Sequence, residues 1–225
     1  MKVSWRSDLA MWLVIAGMFT LATISWPGAP DRIPVHWNLQ HQVDRYGGRF
    51  EGLLGIPLLT LGLYLLMLVV PRIDPGRANY PAFLGAFTTL RLALVVFMAA
   101  LYGVIHLWIR GLEVHMNTVM PLLMGALFIV VGNLLGKLRP NWFVGIRTPW
   151  TLSSKDAWVR AHRAGGWVFI GGGLVLMAAG LVRTPWALGA AAVTFLAGLI
   201  GVVIQSYFVW RADPDKVPPA GTTPA

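Results

Sequence analysis

Six long apolar segments constrain what this chain can fold into. They cover residues 9–26, 53–70, 83–109, 119–136, 166–182 and 186–207. A helix of about 20 apolar residues crosses the roughly 30 Å hydrocarbon layer of a membrane, and in lipid a helix satisfies its own backbone hydrogen bonds. Only 12% of the 225 residues are charged, where soluble domains carry about 25%. The segments therefore predict an all-α polytopic membrane protein with six transmembrane helices.

The distribution of positive charge predicts the orientation of these helices. Of the 18 Lys and Arg residues, 12 lie in the N-terminal segment, in residues 71–82, in residues 137–165 and in the C-terminal tail, whereas five lie in the connections on the other side. Cytoplasmic loops are the richer in Lys and Arg, so we predict that both termini are cytoplasmic. The net charge of +9 then reflects orientation and contact with anionic lipids, and it does not indicate direct binding to nucleic acid.

Three regions follow from this topology. Residues 1–82 hold the first two transmembrane helices and a structured extracellular loop over residues 27–52. Residues 83–212 form a four-helix transmembrane part with a basic cytoplasmic loop over residues 137–165. The tail, residues 213–225, is rich in Pro, Thr and Ala, and we predict that it is disordered.

The outer loop alternates apolar and polar residues, which predicts an extended, half-buried ribbon. Ile33, Val35 and Trp37 would pack on the membrane surface or on helix ends, and Tyr46-Gly47-Gly48 would turn the chain back. The polar side chains facing water would be those of His36, Asn38, Gln40 and Asp44. Two interpretations stay open: the ribbon is a binding face, or it is an amphipathic cover for the outer mouth of the helix bundle.

The inner loop is interrupted by prolines. Pro140 should end the fourth helix near Arg139, and the chain should be extended again at Thr148-Pro149. Ser153 followed by Asp156 forms a capping box, which predicts a short helix over residues 154–164. Asn141, Gly145 and Arg147 lie between the prolines and should form an irregular loop. Either this loop recognises a partner, or it is an orientation signal whose Trp142, Trp150 and Trp158 anchor at headgroup depth.

Polar residues in or near the spans form another candidate cluster. Arg91 is the charge within a predicted span, and Asn133 and Gln205 lie near the inner ends of the fourth and sixth spans. Together with Arg147 they could form a cytoplasmic pocket for a headgroup or a carboxylate. Alternatively, Arg91 extends to the inner surface while the two amides bond between helices.

No pattern predicts a catalytic residue, a cofactor or a metal site. Four histidines fall on the outer side with two carboxylates, but their spacing matches no compact metal motif. These residues are His36, His41, His106, His115, Asp44 and Glu113. Nucleophile and phosphate-binding motifs are absent from the sequence. The glycines of residues 166–180 indicate close helix packing and not a phosphate cradle.

Two motifs in the loops resemble those of the SdpI family of bacterial membrane proteins. The outer motif is "P-x-H-x-N…D-x-x-G", which belongs to an N-terminal domain of unknown function. Its residues here are Pro34, His36, Asn38, Asp44 and Gly47, with His41 where glycine is expected. The longer inner motif comprises Gly132-Asn133, Lys137, Arg139, Asn141, Gly145-Ile146-Arg147-Thr148-Pro149-Trp150-Thr151, Trp158 and His162-Arg163. The resemblance spans nearly the whole chain.

The resemblance implies a non-enzymatic protein of the bacterial cytoplasmic membrane that confers immunity against a secreted antimicrobial peptide toxin. It also implies signalling, with a small winged-helix repressor held at the inner face. The toxin-facing residues would be His36, Asn38 and Asp44. The inner residues that bind a partner or a lipid would be Asn133, Arg139, Asn141, Gly145, Arg147 and Arg163. Two functions of other classes stay open: a small transporter or lipid-handling protein, and a metal-dependent membrane enzyme.

Overall fold

The computed structural model describes residues 5–38 and 42–217, and it is dominated by long helices. The six long helices are α1 (Trp5–Ser25), α2 (Arg49–Ile73), α3 (Leu84–Ile109), α4 (Met116–Leu135), α6 (Lys155–Val182) and α7 (Pro185–Ala212). The shorter elements are strands β1 (Ile33–Trp37) and β2 (Val43–Gly47), a 3-10 helix (Arg77–Phe83) and helix α5 (Pro149–Ser153). Six helices in the described ranges are long and apolar enough to cross a membrane. The prediction of a multi-pass helical membrane protein is confirmed.

The helices pack as two groups of three. Helices α1, α2 and α3 pack on one another, α6 packs on both α4 and α7, and α3 joins the groups through α4. Within the first group, Met11, Tyr64 and Val95 form the middle of the core, each from a different helix. A second apolar cluster joins the 3-10 helix to α4 and α6 through Tyr80, Leu134 and other buried side chains.

Glycines allow α4 and α6 to approach closely. A Cβ atom added to Gly132 would lie 2.7 Å from the carbonyl oxygen of Gly166, and one added to Gly173 would lie 2.6 Å from that of Gly125. The two glycines of each helix are seven residues apart, so both lie on one face. This arrangement agrees with the predicted role of the glycines in helix packing. Small residues are the means by which membrane helices gain contact area.

The connections separate into two ends of the bundle. At the loop end, which we define by residues 74–83, 136–154 and 213–217, the connections are hydrogen-bonded to one another. The side chain of Asn79 donates to the carbonyl oxygen of Pro140 (2.7 Å), and the backbone amide of Val217 donates to the carbonyl oxygen of Ser153 (2.9 Å). The hairpin end carries the two strands. The predicted tail thus starts with residues that contact the inner loop, and residues 218–225 lie outside the described ranges.

The loop end differs from prediction in three local features. Helix α4 ends at Leu135, four residues before Arg139. Thr148 is extended as predicted (φ −119°, ψ 162°), but the extension ends there, because Pro149 begins α5. Thr148 caps this helix in a reciprocal pair of hydrogen bonds with Thr151, and proline fits the first helical turn. The predicted short helix is instead the start of α6.

Helix α6 is continuous because the glycines at its predicted end are packing positions. Gly165 and Gly166 are buried, the first against Ile146 and the second against Gly132. The N-cap is Ser154, whose hydroxyl accepts from the amide of Ala157 (3.0 Å). The predicted cap, Ser153, instead donates its hydroxyl to the carbonyl oxygen of Pro149 (2.7 Å).

Candidate functional site

The hairpin end is organised around Ile33. The two strands pair antiparallel, with Ile33 opposite Gly47 and Trp37 opposite Val43. Ile33 is fully buried in a cluster that includes Leu53. A Cβ atom at Gly52 would lie 2.6 Å from the Cβ of Ile33, so this glycine lets the strand lie directly on α2. The apolar face of the ribbon therefore packs on the bundle, as its alternation predicts.

The opposite face of the hairpin presents a paired histidine and aspartate. His36 Nδ1 lies 2.6 Å from Asp44 Oδ1, and these side chains are 60% and 41% exposed. Asn38 has a different role, because its side-chain oxygen accepts from the amide of Gln42 (2.9 Å) and its own amide donates to the carbonyl of Gln42 (2.9 Å). The predicted polar face thus consists of an exposed, hydrogen-bonded histidine and aspartate beside an asparagine that bonds to Gln42.

The two strands run antiparallel on either side of residues 39–41, and Tyr46 and Gly47 belong to β2, which ends where α2 begins. Residues 39–41, which include Gln40 and the unexpected His41, lie outside the described ranges. Gly48 connects β2 to α2, and ion pairs hold this connection. Arg45 pairs with Glu51 at 2.6 Å, and Arg49 pairs with Asp31 at 3.0 Å.

The outer histidines are dispersed. His36 pairs with Asp44, whereas His106 is buried in α3 with Nδ1 3.1 Å from the carbonyl oxygen of Tyr102. His115 occupies the N-cap position of α4. Over residues 5–38 and 42–217, no group of three or more side chains suited to metal ligation comes together.

The inner loop is held by Asn141, which is 1% exposed. Its side-chain nitrogen donates to the carbonyl oxygens of Arg139 (2.9 Å) and Val144 (3.0 Å). Its side-chain oxygen accepts from the amides of Phe143 (3.0 Å) and Val144 (2.7 Å). One buried amide side chain therefore replaces the backbone hydrogen bonds that a helix or strand would supply. The predicted irregular loop is present, and Asn141 stabilises it from within.

Gly145 and His162 fasten this loop to α6. Gly145 has φ +115°, and a Cβ atom there would lie 2.3 Å from His162 Nε2. His162 Nε2 is 3.0 Å from the amide of Ile146, and its Nδ1 is 2.8 Å from the carbonyl oxygen of Trp158. The amide must donate and the carbonyl must accept, so the ring is neutral with its proton on Nδ1. His162 belongs to the inner motif, but the sequence offers no sign of these contacts.

Asp74 ties the same loop to α2. This buried carboxylate accepts from the amide of Gly76 (2.6 Å), the hydroxyl of Tyr80 (2.8 Å) and the amide of Trp142 (3.1 Å). Arg147 holds the other side of Trp142 by donating to its carbonyl oxygen (2.6 Å). The loop thus bridges the two helix groups, and Trp142 projects from it with 54% of its surface exposed.

The tryptophans of the inner loop have different environments. Trp158 is 1% exposed and donates its ring N–H to the carbonyl oxygen of Leu138 (3.2 Å). Trp150 donates to the hydroxyl of Ser206 on α7. Trp142 is therefore the tryptophan of the three that is free to meet headgroups or a partner, and the prediction that all three anchor the loop is wrong.

The remaining predicted inner residues are exposed and dispersed. Asn133 donates to the carbonyl oxygen of Ile129 within its own helix (2.9 Å), and Gln205 lies on the exposed face of α7. The side chains of Arg139, Arg147 and Arg163 are also exposed. The described hydrogen bonds and ion pairs do not join these side chains to one another, so the predicted cytoplasmic pocket is not formed by them.

Arg91 has a partner that the sequence reading missed. Its guanidinium donates two hydrogen bonds to the carboxylate of Asp8, at 2.8 and 2.9 Å, and Tyr64 donates to the same carboxylate at 2.9 Å. The side chains of the ion pair are 1% and 2% exposed. Arg91 therefore neither extends to the surface nor joins Asn133, because Asp8 neutralises it inside the first helix group.

Comparisons with known proteins match both elaborated regions. Residues 137–207 match the SdpI/YfhL protein family, and residues 13–61 match a domain of unknown function, DUF1648. The chain is 22% identical to the immunity protein SdpI of Bacillus subtilis (strain 168) over 206 residues, which cover 92% of this chain and 97% of that protein. No solved structure matches.

The fold and its two ends define a multi-pass membrane protein with a polar hairpin at one end and a braced basic loop at the other. The two matched regions coincide with these features, since residues 13–61 contain the hairpin and residues 137–207 contain most of the loop, α5, α6 and most of α7. Residues 137–207 are thus similar to the SdpI/YfhL protein family, and nearly the whole chain is similar to an immunity protein.

Proposed function

We propose that this protein confers immunity against a secreted antimicrobial peptide toxin, with the hairpin end outside the cell and the loop end in the cytoplasm. The observation that carries the proposal is the likeness to the immunity protein SdpI along almost the full length of both chains. The predicted cytoplasmic segments hold 12 Lys and Arg residues and the connections on the other side hold five, which supports the orientation.

The exposed hairpin supports a toxin-binding role. Its buried face fixes the strands on α2, so His36 and Asp44 are presented on a supported surface and not on a free loop. The pair offers a donor and an acceptor to a peptide. Because both side chains are largely exposed, their removal should leave the packing of the hairpin intact.

The test is survival of a strain that lacks the gene. The parent strain's spent medium should kill the deletion strain, and the wild-type gene should restore survival. A His36→Ala and Asp44→Ala double variant should restore survival poorly while its membrane abundance stays normal. As a control, the exposed residues Glu113 and His115 in the connection between α3 and α4 can be replaced by alanine in the same way, and protection should persist. Equal survival of the parent and deletion strains would contradict the proposal.

We further propose that the loop end signals by binding a small winged-helix repressor, with anionic lipids nearby. The basic side chains of Arg139, Arg147 and Arg163 supply the charge. Since one guanidinium nitrogen of Arg147 bonds to Trp142, the rest of its planar group stays available for a carboxylate or a phosphate.

The variant Arg147→Lys tests whether the inner loop needs the guanidinium group or only a positive charge at this position. Lysine keeps the charge and can reach a carbonyl, but it lacks the planar fork. We expect normal abundance and normal survival in toxin, with loss of the transcriptional response to toxin. Arg163→Lys, a change of the same kind on α6, tells whether any arginine of this surface suffices. A wild-type transcriptional response in Arg147→Lys would show that charge alone is used.

A further inference from the structure

An open cleft lies where α6 begins and α7 ends. Its volume is about 470 Å³, and its walls belong to the first two turns of α6 and to the last turns of α7 with the residues that follow. It lies at the loop end, at the opposite end of α6 from the connection between α6 and α7. Neither the hairpin nor the inner loop lines it.

The walls of this cleft are apolar on one side and charged on the other. Phe208, Val209 and Ala212 form the apolar side, and Phe208 is 59% exposed. These residues are in the last turns of a helix that is apolar enough to span the membrane up to Ala212. The charged side carries Asp156 and Arg160. The two kinds of wall match the acyl chain and the headgroup of a lipid.

The side chains that line the cleft carry two carboxylates, Asp156 and Asp213, and one guanidinium, Arg160. Arg160 and Asp156 pair at 3.0 Å, with their side chains 62% and 49% exposed. Asp213 accepts from the hydroxyl of Ser154, and this hydrogen bond lowers the pKa of the carboxyl, so it is ionised at neutral pH. The ammonium of Lys216 is nearby, held by the carbonyl oxygens of Arg211 (2.9 Å) and Asp213 (3.2 Å).

We propose that this cleft binds a zwitterionic phospholipid with a primary ammonium group, of the phosphatidylethanolamine type. The ammonium would donate to the Asp213 carboxylate, the phosphate would accept from Arg160, and an acyl chain would lie along Phe208 and Val209. Arg160 already pairs with Asp156, so the Asp213 carboxylate needs a cation from the ligand. An anionic lipid would bring a phosphate but no cation. Two carboxylates at the rim thus favour a headgroup that carries its own cation.

Bound lipid would brace the C-terminal segment. Asp213 also holds the N-cap residue of α6, and the amide of Val217 donates to the carbonyl oxygen of Ser153. A headgroup contacting Asp213 and Arg160 at once would connect the end of α7 to the start of α6.

The test uses purified full-length protein and three lipids with identical acyl chains: phosphatidylethanolamine, phosphatidylcholine and phosphatidylglycerol. Native mass spectrometry of equimolar mixtures measures which lipid is retained. We expect one phosphatidylethanolamine to be retained about tenfold over either competitor, because phosphatidylcholine lacks N–H donors and phosphatidylglycerol lacks the cation. Equal retention of the three lipids would overturn the proposal without any variant.

Two variants locate the preference. Asp213→Asn keeps an oxygen that accepts from Ser154 but removes the charge, so the preference should fall to near parity. Asp215→Asn removes the same charge two residues away, outside the cleft, and should keep the preference. Loss of the preference in both variants would mean that general surface charge and not this cleft selects the lipid.

Discussion

At the residue scale, the inner loop depends on neutral side chains more than on its basic ones. Asn141 makes four hydrogen bonds to the loop backbone, and His162 joins the loop to α6. The arginines of the inner motif, Arg139, Arg147 and Arg163, are exposed. Of these three, Arg147 is the one with a described hydrogen bond to a loop carbonyl. The spacing of Asn141, Gly145 and Arg147 between two prolines predicts an irregular loop. It does not predict that Asn141 is buried at the centre of the loop, because this burial depends on contacts with residues 74–80.

Gly145→Ala should destabilise the loop. The positive φ of +115° disfavours any side chain, and the new Cβ would clash with His162 Nε2. We expect a loss of about 1–3 kcal/mol, measured as a lower melting temperature in detergent. Gly136→Ala is the matched control, because Gly136 has φ −66° with no atom within 4 Å of the added Cβ. Equal melting temperatures for the two variants would contradict the strained role of Gly145.

At the element scale, buried polar and small residues set how the helices meet. Asp8 on α1 binds both Arg91 on α3 and Tyr64 on α2, so one carboxylate connects three helices. The sequence predicts the helices themselves well, because each is a long apolar run. It cannot predict this pairing, since Asp8 stands at the edge of its run and its partner is 83 residues away. The sequence does not predict the continuity of α6 for a similar reason. A glycine can end a helix or lie within it, and the tertiary contacts of Gly165 and Gly166 decide which.

Arg91→Met should be strongly destabilising, because it leaves the Asp8 carboxylate buried without its cation. Breaking a buried ion pair costs about 3–5 kcal/mol, whereas replacing both partners can be nearly neutral. The double variant with Asp8→Asn should therefore recover most of the loss. Melting temperatures of the wild type, both single variants and the double variant measure the coupling. Additive losses would show that the pair does not act as a unit.

Gly173→Val should separate α4 from α6. Its Cβ would lie 2.6 Å from the backbone carbonyl oxygen of Gly125, which cannot move as a side chain would. Gly171→Val adds the same atoms two residues away, where no atom lies within 4 Å. We expect the first variant to accumulate poorly in membranes and the second to accumulate normally, as measured by quantitative immunoblotting. Comparable accumulation of the two variants would contradict close packing of α4 on α6 at Gly173.

At the scale of the whole molecule, the inner loop connects the two helix groups. It bonds to Asp74 and Asn79 beside the first group and to His162 in the second. The hairpin rests on α2, whose other end is capped at Asp74. A toxin bound to the hairpin and a repressor bound to the inner loop would therefore lie at opposite ends of α2. The number of spans follows from hydropathy, and charge predicts their direction, whereas this bridge depends on tertiary hydrogen bonds.

The most direct test of the account is which end of the bundle faces the outside, and the chain suits it because it contains no cysteine. Asp31→Cys places a thiol at the hairpin end, where the native side chain is 89% exposed, and Lys137→Cys places one on the exposed surface of the loop end. A membrane-impermeant maleimide applied to intact cells should label the first variant, and should label the second only after the cells are permeabilised. Labelling of Lys137→Cys but not Asp31→Cys in intact cells would contradict an outer toxin-binding hairpin and an inner signalling loop.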